Sequence, residues 1–165
     1  MSGQIHCDVC GEGRYRAKTL ERYDASALVG LEGVTLVRVA AQVCDRCGAA
    51  MVDGDALDRA LEALTLVLVE TDGALRAGEV RFLRDALDLT QEALAERLGV
   101  HRTTVARWEI GEVAIGQAES VALRALAAMQ LLEQKPKLAR EVAGKFAKPG
   151  TKRAAPPYEI EVGAA

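Results

Sequence analysis

Apolar and polar positions in the first part of the chain follow the pattern of extended strands. Residues 34–39 are rich in β-branched side chains, and Asp24, Gly30 and Gly33 interrupt the chain beside them as turn residues. The region is therefore predicted to form a small antiparallel sheet.

The spacing of apolar residues then changes to that of a helix. Between residues 55 and 70, leucines recur at i, i+4, i+7 and i+11, which lines one face of a helix that Asp53 or Asp55 would begin. These leucines are Leu57, Leu61, Leu64 and Leu68. The stripe requires a partner surface, which is either the sheet of the same domain or another protein.

Residues 79–132 carry the pattern of four to five short helices and no strand. The first helix is predicted near residues 79–88. Thr90 would cap the second helix, and Gly99 would end it in a left-handed conformation. After this tight turn, a third helix is predicted over residues 101–110.

The third helix has an apolar face and a polar face. At about 100° per residue, Val105 and Trp108 fall together and face the core. The opposite face is small enough to enter a major groove, where arginine can bond both acceptors of a guanine and threonine can meet a base edge. A glutamine at the start of the second helix would bond a phosphate. The predicted DNA-binding residues are Gln91, Arg102, Thr103, Thr104 and Arg107; alternatively, these are ordinary solvated side chains of a helical bundle.

All four cysteines fall into two C-x-x-C motifs, each followed by a glycine. The two motifs are separated by 33 residues. Two intervening residues let a tight turn aim both sulfurs at one ion, and the glycine after each pair can take a positive φ. Four thiolates suit one Zn²⁺ per chain and leave no position for a catalytic water, so the predicted site is structural. The alternatives are a C-x-x-C redox pair and four unrelated buried thiols. The predicted ligands are Cys7, Cys10, Cys44 and Cys47, and His6 is interpreted as a bystander.

Composition and charge restrict the function further. The chain is 50% apolar and 27% charged, which is typical of a folded protein rather than a disordered one. Its net charge is only −3, so any DNA contact must come from arginines clustered on one face. No apolar stretch approaches the roughly 20 residues of a bilayer span, and the first residues lack a secretion signal, so we expect a cytoplasmic protein without membrane contact. Because His6 and His101 belong to no recognisable nucleophile or open metal constellation, we expect no enzyme.

Together these patterns predict an α+β protein of two domains. Residues 1–70 would form a small zinc-binding β/α domain that ends in the leucine-striped helix, and the glycine-containing stretch 71–78 would be a linker. Residues 79–132 would form an all-α helix-turn-helix domain. Residues 133–165 would be a flexible basic tail with at most one short helix at 138–146.

The run from Leu89 through Gly99 to the segment Arg107-Trp-Glu-x-Gly111 resembles the Cro/XRE helix-turn-helix family. Joined to the paired C-x-x-C motifs, it resembles the MqsA-type (YgiT-type zinc finger) antitoxin family over residues 5 to 132. That resemblance implies a zinc domain that neutralises a ribonuclease toxin. It also implies a helical domain that forms a homodimer, binds a palindromic operator in double-stranded DNA and represses the operon, with base contacts at Thr103 and Arg107.

Two positions depart from the pattern of that family. Ile115 stands where a proline commonly follows the motif, and His101 stands where a serine or similar N-cap is usual. Neither departure removes the DNA-facing surface. The sequence thus supports two hypotheses, an antitoxin that represses its own operon and a stand-alone zinc-containing transcriptional regulator without a toxin partner.

Overall fold

Four strands and six helices form within residues 5–134 and 156–163, the part of the chain that the computed structural model describes. The predicted α+β class is therefore confirmed. In chain order the elements are β1 (Tyr15–Asp24), α1 (Ser26–Val29), β2 (Val34–Cys44), β3 (Ala50–Val52), α2 (Gly54–Val69), α3 (Ala77–Ala86), α4 (Gln91–Leu98), α5 (Arg102–Glu109), α6 (Gln117–Gln134) and β4 (Tyr158–Glu161). None of the helices in these residues is long and apolar enough to cross a membrane.

The sheet is built around β2, which has partners on both sides. On one side β1 runs antiparallel to it, with Tyr15 opposite Cys44 and Asp24 opposite Thr35. On the other side lie β3, which is antiparallel, and β4, which is parallel to β2. The predicted antiparallel sheet is confirmed, and β4 is an added strand that the pattern did not predict. Because β1 starts where β2 ends, the two cysteine motifs meet at one end of the sheet.

Local signals decide where the helices begin and end. The side chain of Asp53 accepts hydrogen bonds from two N–H groups in the first turn of α2, at 3.1 and 3.4 Å. Thr90 accepts one from the first turn of α4 at 3.1 Å, and Gly99 ends that helix with a φ of 67°. Such bonds satisfy N–H groups that have no partner within the helix. The predicted caps at Asp53, Thr90 and Gly99 are confirmed.

One apolar core joins the sheet to the helices. It contains side chains from β2, α2, α3, α5, α6 and β4, among them Leu36, Leu64, Leu83, Val105 and Ile160. Full burial of such a side chain contributes about 1.5–3 kcal/mol. The two regions predicted as separate domains therefore share one set of buried contacts.

The predicted leucine stripe of α2 is only partly buried. Leu64 and Leu68 are enclosed in the core, whereas Leu57 and Leu61 are half-buried. Ala56 and Ala60 point inward instead at the start of the helix. Small side chains there let α2 approach the rest of the protein closely, a consequence of packing that leucine spacing does not reveal.

Buried side chains of α6 fix the connection between α2 and α3, predicted as a linker at 71–78. Arg124 is buried and donates to the backbone carbonyls of Leu68 at 3.0 Å and Gly73 at 2.8 Å. The hydroxyl of Ser120 accepts a hydrogen bond from a backbone N–H of the same connection at 3.1 Å. The connection is shorter than predicted because α3 begins within that range.

Residues 158–161 join the sheet as β4, so this part of the predicted flexible tail at 133–165 forms a strand. Tyr158 and Ile160 of β4 are buried, and the hydroxyl of Tyr158 donates to Glu79 of α3. The composition of the tail favoured disorder. A strand as short as β4 is stable only when it pairs with another strand, and its partner β2 is distant in the sequence. The predicted short helix at 138–146 lies outside the described residues.

Candidate metal centre and nucleic-acid interface

The four cysteines form one compact group at the end of the sheet. Their sulfur atoms all lie within 4.8 Å of one another, with Cys7 to Cys47 at 3.7 Å and Cys10 to Cys44 at 3.8 Å. A tetrahedral ion with Zn–S bonds of about 2.3 Å would separate its ligand sulfurs by about 3.8 Å. The geometry of the thiols therefore fits a metal ion of that size, and these four residues could hold it.

Two similar backbone turns aim the sulfurs. The N–H of Gly11 donates to the carbonyl of Cys7 at 2.9 Å, and the N–H of Gly48 donates to that of Cys44 at 3.1 Å. Both glycines have a positive φ, 71° and 74°, as the motif predicted. Backbone N–H groups also donate to the sulfurs, from Gly13 to Cys10 at 3.3 Å and from Cys47 to Cys44 at 3.5 Å. These donors favour the thiolate form that binds metals.

Residues between and beside the cysteines support the group, and the cysteine motifs did not predict them. A Cβ atom at Gly13 would overlap the Sγ of Cys44 and lie 2.9 Å from the Cβ of Arg46, so only glycine fits there. The carboxylate of Asp45 accepts the backbone N–H of Arg14 at 2.9 Å, which links one turn to the other. An ion pair between Glu12 and Arg46 adds a second link. These roles depend on contacts between segments far apart in sequence, so motif spacing carries no signal for them.

Ionisation of the thiols is uneven without a cation. Burial raises the pKa of Cys7, but hydrogen bonds from the backbone of Cys10 and the side chain of Tyr15 outweigh it and lower the pKa to about 6. The backbone N–H of Ala49 lowers the pKa of Cys47, but desolvation and the neighbouring thiols raise it to about 12. Four adjacent thiolates repel one another, and a bound cation would remove that repulsion. His6 is exposed and does not belong to the group.

A second candidate site is the outer surface of α5. Arg102, Thr103 and Arg107 are exposed, Thr104 is half-buried, and Val105 and Trp108 are buried on the opposite face. His101 caps the helix, because its ring nitrogen accepts the N–H of Thr103 at 3.3 Å. The two faces of this helix therefore lie as their spacing predicted.

Two of the exposed side chains already have partners within the protein. The hydroxyl of Thr103 lies 2.8 Å from Nδ1 of His101. Nε of Arg107 donates to Glu112 at 2.9 Å, and both side chains of this pair remain about half exposed. Exposed ion pairs of this kind contribute only about 0–1 kcal/mol, so a stronger acceptor can recruit the guanidinium of Arg107.

A partly buried polar group holds α3, α4 and α5 together behind this surface. The side chains of Arg84 and Glu109 form an ion pair that is 12% and 5% exposed, respectively. The carboxylate of Glu109 raises the pKa of Arg84, which keeps the guanidinium charged. Gln91, predicted to contact a phosphate, directs its amide nitrogen to Glu109 at 2.8 Å in the free protein. Arg84 also donates to the carbonyl of Leu89 at 2.8 Å.

Comparison with protein-family models gives a match over most of the chain. The family model for MqsA, the antitoxin component of a bacterial toxin-antitoxin system, matches residues 5–143. The match includes the four cysteines and all of α4, α5 and α6, and it ends before β4. No curated protein matches the chain.

Proposed function

The chain belongs to the MqsA family of antitoxin components of bacterial toxin-antitoxin systems, and from that premise we propose that it combines two binding functions. Its metal-binding part neutralises a cognate ribonuclease toxin, and its helix-turn-helix, formed by α4 and α5, represses its own operon in the cytoplasm. The division follows residues 1–70 and 79–132. The observation that carries the DNA-binding half is the exposed face of Arg102, Thr103 and Arg107 on α5.

We infer that the metal ion is one structural Zn²⁺ per chain. A closed shell of four thiolates suits zinc, whose filled d-shell imposes no competing geometry, and leaves no open position for a reacting water. The ion would shape the surface offered to the toxin and take no part in chemistry. The protein in this account is a binding protein and not an enzyme.

For the operator, α5 is the element that enters the major groove. Arg107 would bond the O6 and N7 acceptors of a guanine, Thr103 would contact a neighbouring base, and Arg102 would neutralise a phosphate at the edge of the groove. Thr104 lies at the margin of this face. In the free protein, the amide nitrogen of Gln91 donates to Glu109. Gln91 would contact a phosphate either by breaking this hydrogen bond or by using its second amide hydrogen.

A stripe of exposed side chains on α6 supports the proposed homodimer. Its members are Ala118, Val121, Ala125, Met129 and Leu132. At about 100° per residue they fall within an arc of about 80°, while the other face of α6 contacts α2, α3 and α4. Two antiparallel copies crossing at Ala125 would set Met129 against Val121 and Leu132 against Ala118, so each larger side chain meets a smaller one. Such a two-fold contact is self-complementary and would present two α5 helices to a palindrome.

Ala125→Glu is expected to convert the dimer to a monomer. The substitution places two carboxylates opposite each other at the two-fold axis, where they repel in an apolar surrounding. Sedimentation equilibrium measures the change in mass. Ala27→Glu, which adds the same charge at an exposed alanine of α1, is the matched control and should leave the dimer intact. An Ala125→Glu protein that sediments as a dimer contradicts the proposed interface.

Arg107→Ala is expected to weaken operator binding by about 1–3 kcal/mol, or roughly 5- to 150-fold, and to relax specificity at one base pair. The loss comes from the two hydrogen bonds to guanine. Fluorescence anisotropy with the promoter of the protein at one fixed salt concentration measures it. Arg81→Ala removes the same charge from the exposed surface of α3 and serves as the control. Equal affinities of the two variants would reject the role of Arg107.

The second candidate function is a stand-alone regulator without a toxin. Its support is that Thr103 and Arg107, the proposed base-contacting residues, both lie on the exposed face of α5, whereas no described residue of the metal-binding part identifies a toxin contact. Co-expression with the product of the neighbouring open reading frame separates the two functions. An antitoxin restores growth that this product inhibits, and a stand-alone regulator does not.

A further inference from the structure

Ile110 follows the last residue of α5 and is 74% exposed. Its φ of −93° and ψ of −2° keep it in the helical region, so it continues the spiral of α5. At about 100° per residue its side chain falls about 20° from that of Thr103 and about 60° from that of Arg107. Ile110 thus belongs to the face that the proposed function assigns to the operator.

The backbone after Ile110 turns away and leaves this side chain uncovered. Gly111 has a φ of 74°, and its N–H donates to the carbonyl of Trp108 at 3.1 Å. The N–H of Glu112 donates to the carbonyl of Arg107 at 3.0 Å. These bonds fold the chain back along the helix and hold Ile110 in a fixed position.

We propose that Ile110 is a specificity-determining residue that reads the methyl group of a thymine in the operator. This inference rests on the proposed DNA-binding function. Among the base edges of the major groove, the C5 methyl of thymine is the apolar group, and apolar side chains recognise it by contact. An isoleucine cannot hydrogen-bond a phosphate or a base edge, so burial against this methyl is the interaction its chemistry allows. Single exposed apolar residues are ordinary on protein surfaces; the position of this one beside Thr103 and Arg107 is what assigns the role.

The experiment replaces thymine by deoxyuridine, which differs only in lacking the methyl group. An operator is first recovered from a random duplex library by selection with the full-length protein, and each thymine is then replaced in turn. At one thymine position, the replacement should lower the affinity of the wild-type protein about fourfold for each half-site. This factor corresponds to the loss of one buried methyl group. Ile110→Ala should bind the thymine operator more weakly by at least that factor and should show no further loss with deoxyuridine at that position.

The matched control is Leu28→Ala, which truncates a 48% exposed leucine of α1. It should bind like the wild-type protein and should retain the sensitivity to deoxyuridine. Because Ile110 is exposed, Ile110→Ala should also melt at the wild-type temperature, which excludes misfolding as the cause.

The possible failures are distinct. If the library yields no preferred sequence, the proposed operator function is wrong and this inference with it. If an operator is bound but no thymine is sensitive to deoxyuridine, or if Ile110→Ala keeps the sensitivity of the wild-type protein, only the role of Ile110 is overturned.

Discussion

Removal of the proposed zinc ion is expected to unfold residues 5–20 and 41–52 while α2 to α6 keep their structure. The segment around the cysteines has few apolar contacts of its own, because every side chain of β1 is exposed or only half-buried. Its buried side chains include Cys7 and Cys44, which would be metal ligands. A structural zinc site supplies about 10 kcal/mol or more of binding free energy, which a segment without an apolar core cannot replace.

The opposite end of the sheet should resist the loss of metal. Val34, Leu36 and Val39 of β2 belong to the core shared with the helices, and β4 covers the same end of the strand. Burial of apolar surface there does not depend on the ion. We therefore expect partial unfolding of the sheet instead of the loss of the whole N-terminal region.

Hydrogen exchange measured by mass spectrometry before and after chelation tests this expectation. Amides near both cysteine motifs should exchange rapidly in the metal-free protein, and those of α2 to α6 should remain protected. Cys44→Ser should give the same exchange pattern without a chelator. The control Arg16→Ala changes an exposed side chain and keeps all four cysteines, so its amides near the motifs should stay protected. Full protection around the motifs after complete loss of metal would show that zinc does not hold this segment.

Features encoded by neighbouring residues could be predicted from the sequence. The caps at Asp53, Thr90 and Gly99 each act within one helical turn, and the two faces of α5 follow from its own spacing. The cysteine motifs predicted a single cluster because four thiols of one spacing rarely have another common use. These signals are local, so the structures they encode can be predicted without knowledge of the fold.

Features that depend on distant partners could not be predicted. β4 pairs with a strand more than a hundred residues earlier, and β1 is so polar that its strand conformation depends on pairing with β2. Gly13 is required by the sulfur of Cys44, and the inward face of α2 is set by the elements packed against it. Glu109 belonged to a recognised motif, but its burial against Arg84 is visible only when α3 and α5 are packed together.

Arg84→Ala is expected to lower the free energy of unfolding by about 1–3 kcal/mol, the range for leaving a desolvated polar group without its hydrogen-bond partner. The carboxylate of Glu109 would stay buried without its guanidinium, and the carbonyl of Leu89 would lose a donor. Urea denaturation measures the effect. Arg81→Ala removes an exposed arginine of the same helix and should change stability by no more than about 0.5 kcal/mol.

The charge of the pair can be separated from its packing by a second variant. Arg84→Met combined with Glu109→Leu removes both charges and keeps apolar volume, so it should recover much of the stability lost in Arg84→Ala. It should not recover operator binding fully, because Gln91 would lose the carboxylate that fixes the start of α4 against the end of α5. The pair would then serve mainly to orient the proposed DNA-binding surface. If Arg84→Ala is no less stable than Arg81→Ala, the carboxylate of Glu109 does not depend on Arg84, and the role given to this ion pair is wrong.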